Sequence, residues 1–179
     1  IHARVFEGQV EDTVNVQRIE DEWGHPLFVF RKENEGLQSY LQNVVYPARE
    51  AFRRMPSVEL GEALLFAMSG LQKLDRHYAR KENLFFPYLE KAGITGPPQV
   101  MWGVDDEIRA MLKDIQSTES GDHALLDLVD SALAEITAMI KKENEILSPL
   151  LLQAVTHEDW LQIAEDSPAI GFAFNGGIE

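Results

Sequence analysis

One tetrapeptide, basic-basic-Glu-Asn, recurs three times inside stretches of helical periodicity: Arg31-Lys32-Glu33-Asn34, Arg80-Lys81-Glu82-Asn83 and Lys141-Lys142-Glu143-Asn144. Nothing else in the chain narrows the fold as much. With about 100° of rotation per residue, Leu125, Val129, Ala132, Ile136, Met139, Ile140, Ile146, Leu147 and Leu150 share one face around the third copy, and Glu143 falls near the middle of it. Around the second copy the face holds Leu64, Met68, Leu71, Phe85, Phe86 and Leu89 together with Asp75, Tyr78 and Glu82. Around the first it holds Trp23, Leu27, Phe30, Leu37 and Leu41, with Glu33 and Asn34 at its edges. A lone buried carboxylate is costly unless it is paired, hydrogen-bonded or bound to a metal. Three helices that turn carboxylates inward at one motif therefore imply a polar site inside a helical bundle.

The punctuation of the chain divides it accordingly. A first long helix is expected from Gly24 to Phe52, opening at His25-Pro26, where a missing N–H is harmless, and kinked by Pro47. Pro56 interrupts, Ser57 caps a second helix running to Lys91, and Glu59 and Glu62 suit its first turn. Pro87 should bend its last turns. Gly93 to Pro98 forms a connection. A third helix is expected over Gln99 to Gln116 and a fourth over Asp122 to Ala154, with Pro149 near its end. Thr156 caps a short fifth helix to Glu165, and Ile170 to Phe174 reads as the start of a strand or an exit segment. Almost no period-2 alternation accompanies these stretches. The expected fold is all-α: an antiparallel four-helix bundle with a short C-terminal fifth helix. The expected division is a lead-in over 1–20, the bundle over 21–155, and a short helix and exit segment over 156–179.

A loose internal repeat sets His77 to Pro87 against Met139 to Pro149. With the prolines aligned, Glu82 matches Asn144 and His77 matches Met139. With the Glu-Asn pairs aligned, Glu82 matches Glu143. The sequence leaves both registers open.

At 179 residues and 45% hydrophobic, the chain suits one domain with a sizeable core. It has no cysteine, which excludes disulfides and thiolate chemistry and fits a cytoplasmic origin. A formal charge of -14 argues against nucleic acid or an anionic membrane as partner. No apolar run has the length of a membrane span. The first residue is Ile rather than Met, as expected of a piece of something longer.

In the order of its motifs the chain resembles the hemerythrin-like, or HHE cation-binding, domains, and within them the branch attached to DUF438 and PAS-type sensor modules. The matching stretches are His25-Pro26, Phe30 to Glu35, His77 to Glu90, Gly96 to Trp102, Asp105 to Arg109, Glu143 to Pro149 and Trp160 to Gly171, together spanning about residues 20–171. The resemblance implies a four-helix bundle with a non-haem, often di-iron, centre of His and carboxylate ligands, used in sensing, small-gas binding or iron handling. It also implies a PAS-type domain in the full-length chain.

Carried onto this sequence, the resemblance makes His25, His77, Glu82, Glu143 and Asp105 the candidate metal ligands. The chain departs from the family pattern where a third-helix His would stand, at Asp105, and where a fourth-helix His would stand, at Met139. Four residues after His77 comes Lys81 rather than Glu. Each candidate has a plainer reading. His25 can cap a helix, and Asp105, Asp106 and Glu107 can be a charge run at a helix start. Glu33 reads as a solvated edge residue. Glu143 can pair with Arg31, Arg80 or Lys81 in a buried ion network. Haem held by His77 and Met139 is a remote alternative. No nucleophile–base pair is apparent, so catalysis is not expected. Two functions follow. One is an iron-binding or other divalent-metal module. The other is a metal-free helical scaffold or small-ligand receptor whose metal site has become a polar network.

Overall fold

The computed structural model describes residues 20, 22 and 24–174. The expected lead-in lies outside these apart from Glu20, as does Trp23. Five helices account for the described residues. Helix α1 (26–54) opens at Pro26, with His25 as its cap: the imidazole Nδ1 accepts the Leu27 N–H at 3.0 Å. Helix α2 (58–91) is capped by Ser57, whose hydroxyl accepts the Leu60 N–H. Helix α3 (Gly96–Gln116) begins earlier than expected, because Pro97 and Pro98 occupy the first turn, where no N–H is needed. Helix α4 spans 124–154. Helix α5 (His157–Ile170), capped by Thr156, runs past Glu165 through Pro168. Gly171, at φ +100°, then ends it and sends residues 171–174 back toward α1.

The first four helices run alternately up and down as an antiparallel bundle. The end of α1 packs on the start of α2 and on α4, α2 packs along α3, and α3 along α4. Their inner faces bury Leu37, Leu64, Met68, Ile108, Val129 and Ile136 at 0–1% exposure, each contributing about 1.5–3 kcal/mol of transfer free energy. Helix α5 lies across α1 and α2, placing Trp160 against His25 and Phe85. Among the described residues no helix is long and apolar enough to cross a membrane.

Three of the long segments are not uniform. Each contains one wide turn in which an N–H reaches five residues back, at Leu41–Val45, Lys81–Phe85 and Glu143–Leu147. Pro47, Pro87 and Pro149 follow at the same offset. A proline lacks its N–H and clashes with the carbonyl four residues earlier. The preceding residue then bonds one residue further back: Tyr46 to Leu41, Phe86 to Lys81 and Ser148 to Glu143. The prolines widen the helices rather than break them.

These turns correct the simple 100° projection. Ile146, expected on the inner face of α4, is 48% exposed because the inserted residue rotates it out. Asp75, expected inward on α2, is exposed at the rim. The turns also settle the internal repeat in favour of the proline register, in which Lys81 corresponds to Glu143.

Close packing at Gly61 supplies a stability test. A Cβ there would stand 1.7 Å from the Ser120 carbonyl oxygen in the α3–α4 connection, whereas a Cβ on Gly103 in α3 meets nothing within 4 Å. Gly61→Ala is expected to cost about 1–3 kcal/mol in urea unfolding, and Gly103→Ala to gain about 0.5–1 kcal/mol. Equal effects at the two positions would contradict this packing.

Candidate functional site

All four bundle helices send charged side chains to one place. Helix α1 contributes Glu33 and Asn34, α2 contributes His77, Arg80, Lys81 and Glu82, α3 contributes Asp105 and Arg109, and α4 contributes Glu143. Except for Arg109, which is partly exposed, each is at most 5% exposed. The wide turn beginning at Lys81 helps α2 bury Arg80, Lys81 and Glu82 in succession, where a regular helix would turn one of them outward.

His77 stands between two carboxylates, with Nδ1 3.1 Å from Glu33 Oε1 and Nε2 2.7 Å from Glu143 Oε1. Its ring stacks on Phe30 at 3.7 Å. The Lys81 ammonium, wholly buried, donates to Asp105 Oδ1 at 2.6 Å and to Glu143 Oε2 at 2.8 Å, and lies 4.3 Å from the centre of the Tyr78 ring. Asn34 donates to Glu143 Oε1 at 3.0 Å. Arg80 donates to Glu33 Oε1, and the backbone N–H of Ala173 donates to Glu33 Oε2 at 2.5 Å. Toward solvent, Arg109 grips Glu82 with two bonds of 2.7 and 2.8 Å and also donates to Asp75 and Asp106.

The carboxyl groups of Glu33, Glu82, Asp105 and Glu143 are thus met by Arg80, Lys81, Arg109 and His77. Burial alone would raise the Glu143 carboxyl, but the charges and hydrogen bonds of Lys81 and His77 outweigh it and hold Glu143 down to about 2. Glu33 is lowered in the same way, against burial, by His77 and Arg80. His77 is raised, because Glu143 and Glu33 overcome its desolvation. Asp105 goes the other way. Burial pushes it up to about 8 despite Lys81, and the nearby Glu82 and Glu143 carboxylates add to the rise. Its Oδ2 has no donor. A protonated Asp105 would donate a hydrogen bond to Glu82, the neighbouring acceptor.

Of the five candidate ligands, the structure brings His77, Glu143 and Asp105 together and sets Glu82 beside them through Arg109. His25 belongs elsewhere. Its Nδ1 caps α1, its ring lies 4.5 Å from Trp160, and its Nε2 is buried without a partner. Burial lowers its pKa, as an accepting imidazole requires. Glu33, expected at a solvated edge, is 1% exposed and central to the network; α1 is turned further inward than the apolar stripe alone indicated. Asp105 is not in a first helical turn, because α3 begins at Gly96; Asp106 and Glu107 beside it are exposed. Met139 packs in the core, and both His77 nitrogens are committed to carboxylates, which leaves none for an axial haem bond.

Glu33, Glu143 and Asp105 each already accept from a cation of the chain, and no three His or carboxylate groups among the described residues converge as a cation cage. With Lys81 in place the residues do not fit a metal ion.

The sequence model of the hemerythrin HHE cation binding domain family matches residues 25–151. No curated protein and no solved structure matched in the corresponding comparisons.

The titrating groups set a pH dependence. Glu143 and Glu33 are lowered, so they contribute stability that is complete above their ordinary value of 4.5 and is lost as pH falls, for Glu143 through about 2. His77 and Asp105 are raised, so their contributions are complete below 6.5 and 3.8 and are lost as pH rises, for Asp105 through about 8. The melting temperature at fixed ionic strength is expected to be higher at about pH 5.5 than at about pH 8.5. A steady rise over that interval would contradict these assignments.

Proposed function

The chain belongs to the hemerythrin HHE cation-binding domain family, and from that premise we propose that the cation in its carboxylate cradle is its own Lys81 ammonium. The domain then works as a metal-independent helical scaffold or small-ligand receptor, with a buried ion network where a metal centre would otherwise be. One observation carries the reading: Lys81 Nζ, with no exposed surface, lies 2.6 Å from Asp105 and 2.8 Å from Glu143. A divalent cation brought to those carboxylates would meet a positive charge already bonded to both. Support for a receptor role comes from the groove between α2 and α3. It encloses about 360 Å³, is lined by Leu71, Leu74, Ile108 and Leu112, and has Tyr78 and Arg109 between it and the network.

The second reading follows the family description directly. A divalent metal such as non-haem iron would be held by His77, Glu143, Asp105 and Glu82, without His25, in a sensing, small-gas or iron-handling module of the DUF438- and PAS-associated kind. The observation in its favour is the buried Asp105 Oδ2 without a donor. It requires Lys81 to leave the cradle.

Elemental analysis of protein produced with iron, manganese and zinc supplied separates the two. Wild-type protein is expected to carry far less than one metal per chain. Lys81→Met strands Asp105 and Glu143 without their cation, and is expected to bind manganese or ferrous ion at least about tenfold more tightly, equivalent to about 1.4 kcal/mol. Near-stoichiometric metal in the wild type, lowered by Glu143→Gln, would establish the second reading instead.

A further inference from the structure

Residues 171–174 follow the last helix and fold back across the bundle onto Glu33. We infer that this short strap is a gate over the buried charged centre: it closes the Glu33–Arg80 end against water, and lifting it hydrates the network without unfolding the bundle. The Glu33 carboxylate divides its oxygens between the two sides. Oε1 serves His77 and Arg80 within, while Oε2 accepts the Ala173 N–H at 2.5 Å. Ala173 is 2% exposed, so that bond is sealed from solvent. The Phe172 ring covers Arg80, whose guanidinium carbon lies 4.7 Å from the ring centre. Arg80 Nε is buried beneath with no partner among the described residues. Arg76 donates to the Phe172 carbonyl at 3.3 Å, and the Phe174 ring reaches Tyr40 at 5.6 Å.

The strap is therefore the last cover on two otherwise buried charged groups, and its own hold is slight. Among the described residues, the sealed Ala173–Glu33 bond, the Gly171 N–H to Ser167 bond at the helix end, the exposed Arg76–Phe172 bond and a few ring contacts secure it, against a full helical ladder for each element below. Segments of that kind open locally, well below the free energy of global unfolding. Once it lifts, Glu33 Oε2 and the Arg80 guanidinium are left facing open space, and water is the partner that can satisfy them. From Glu33 the bonded path continues through His77 to Glu143 and Lys81. Whatever binds or pulls residues 171–174 thereby alters the hydration of the centre.

The fit depends on Gly36. A Cβ there would stand 1.6 Å from the Phe174 carbonyl oxygen and 2.8 Å from its carbonyl carbon. Gly36→Ala thus forces the strap away while improving helix propensity in α1. The test is hydrogen exchange by NMR on the full chain, reading the Ala173 amide and the labile side-chain protons of Asn34 and His77. In the wild type all three exchange slowly. In Gly36→Ala, Ala173 exchange is expected to accelerate by about a hundredfold or more and the Asn34 and His77 protons by about tenfold or more, with core amides of α2 and α4 unchanged. Phe172→Ala, which uncovers Arg80 without touching Gly36, is expected to shift the same protons in the same direction. The inference is overturned if Ala173 exchanges freely in the wild type. It is also overturned if the strap is displaced while Asn34 and His77 remain as protected as before.

Discussion

An ammonium group with no exposed surface must be neutralised where it stands. Lys81 is such a group, and the two carboxyl groups that accept from it come from α3 and α4, while Lys81 itself comes from α2; the ionised Glu143 supplies the balancing charge. Glu143 then holds His77 and Asn34, and His77 holds Glu33 of α1. Every helix of the bundle is therefore tied to one charge. Apolar packing alone tolerates small slides of one helix past another. A buried ion pair does not, because losing either partner leaves an uncompensated charge that costs about 3–5 kcal/mol. The network fixes the register of the bundle as well as its interior.

Proline makes the arrangement reachable. In the proline register of the internal repeat, Lys81 and Glu143 are each the first residue of a wide turn, and their side chains meet at 2.8 Å. An insertion at corresponding places in two helices turns a cation and an anion into the same layer. The third wide turn begins at Leu41, which is buried among apolar residues. The device is thus a general way of re-aiming a helix, and chemistry enters only where the residue that opens the turn is charged.

The fold was readable because its signals are local. The caps at Ser57 and Thr156, the prolines and the connection around Gly93 to Pro98 mark helix ends within a few residues, and long apolar stripes identify the faces that pack. The site was readable only in part. Glu143 stood out because a carboxylate in the middle of a stripe needs a partner, and Lys81 and Arg80 were among the partners foreseen. In the sequence Glu33 reads as an edge residue, because its inward turn depends on how α1 sits against α2 and the strap, a tertiary matter. Arg109 gave no local sign of its bidentate grip on Glu82. An X-Pro pair inside a strongly helical pattern implies an inserted residue upstream, and applying that shift moves Ile146 outward.

Family membership accounts for the helical bundle, and the chain's own residues decide what its inward carboxyl groups face. On the proposed reading a side-chain ammonium stands in the carboxylate cradle, where it supplies one fixed positive charge and gives up exchange with solution. The claim that Lys81 and Glu143 form one closed charge unit is tested most directly by a double-mutant cycle in urea unfolding, using Lys81→Met, Glu143→Leu and the pair together. Each single change is expected to cost about 3–5 kcal/mol, because each strands an opposite charge in the interior. The double change should cost at least about 2 kcal/mol less than the sum of the singles. Costs that add to within about 0.5 kcal/mol would show that the two residues are energetically independent and would contradict the account.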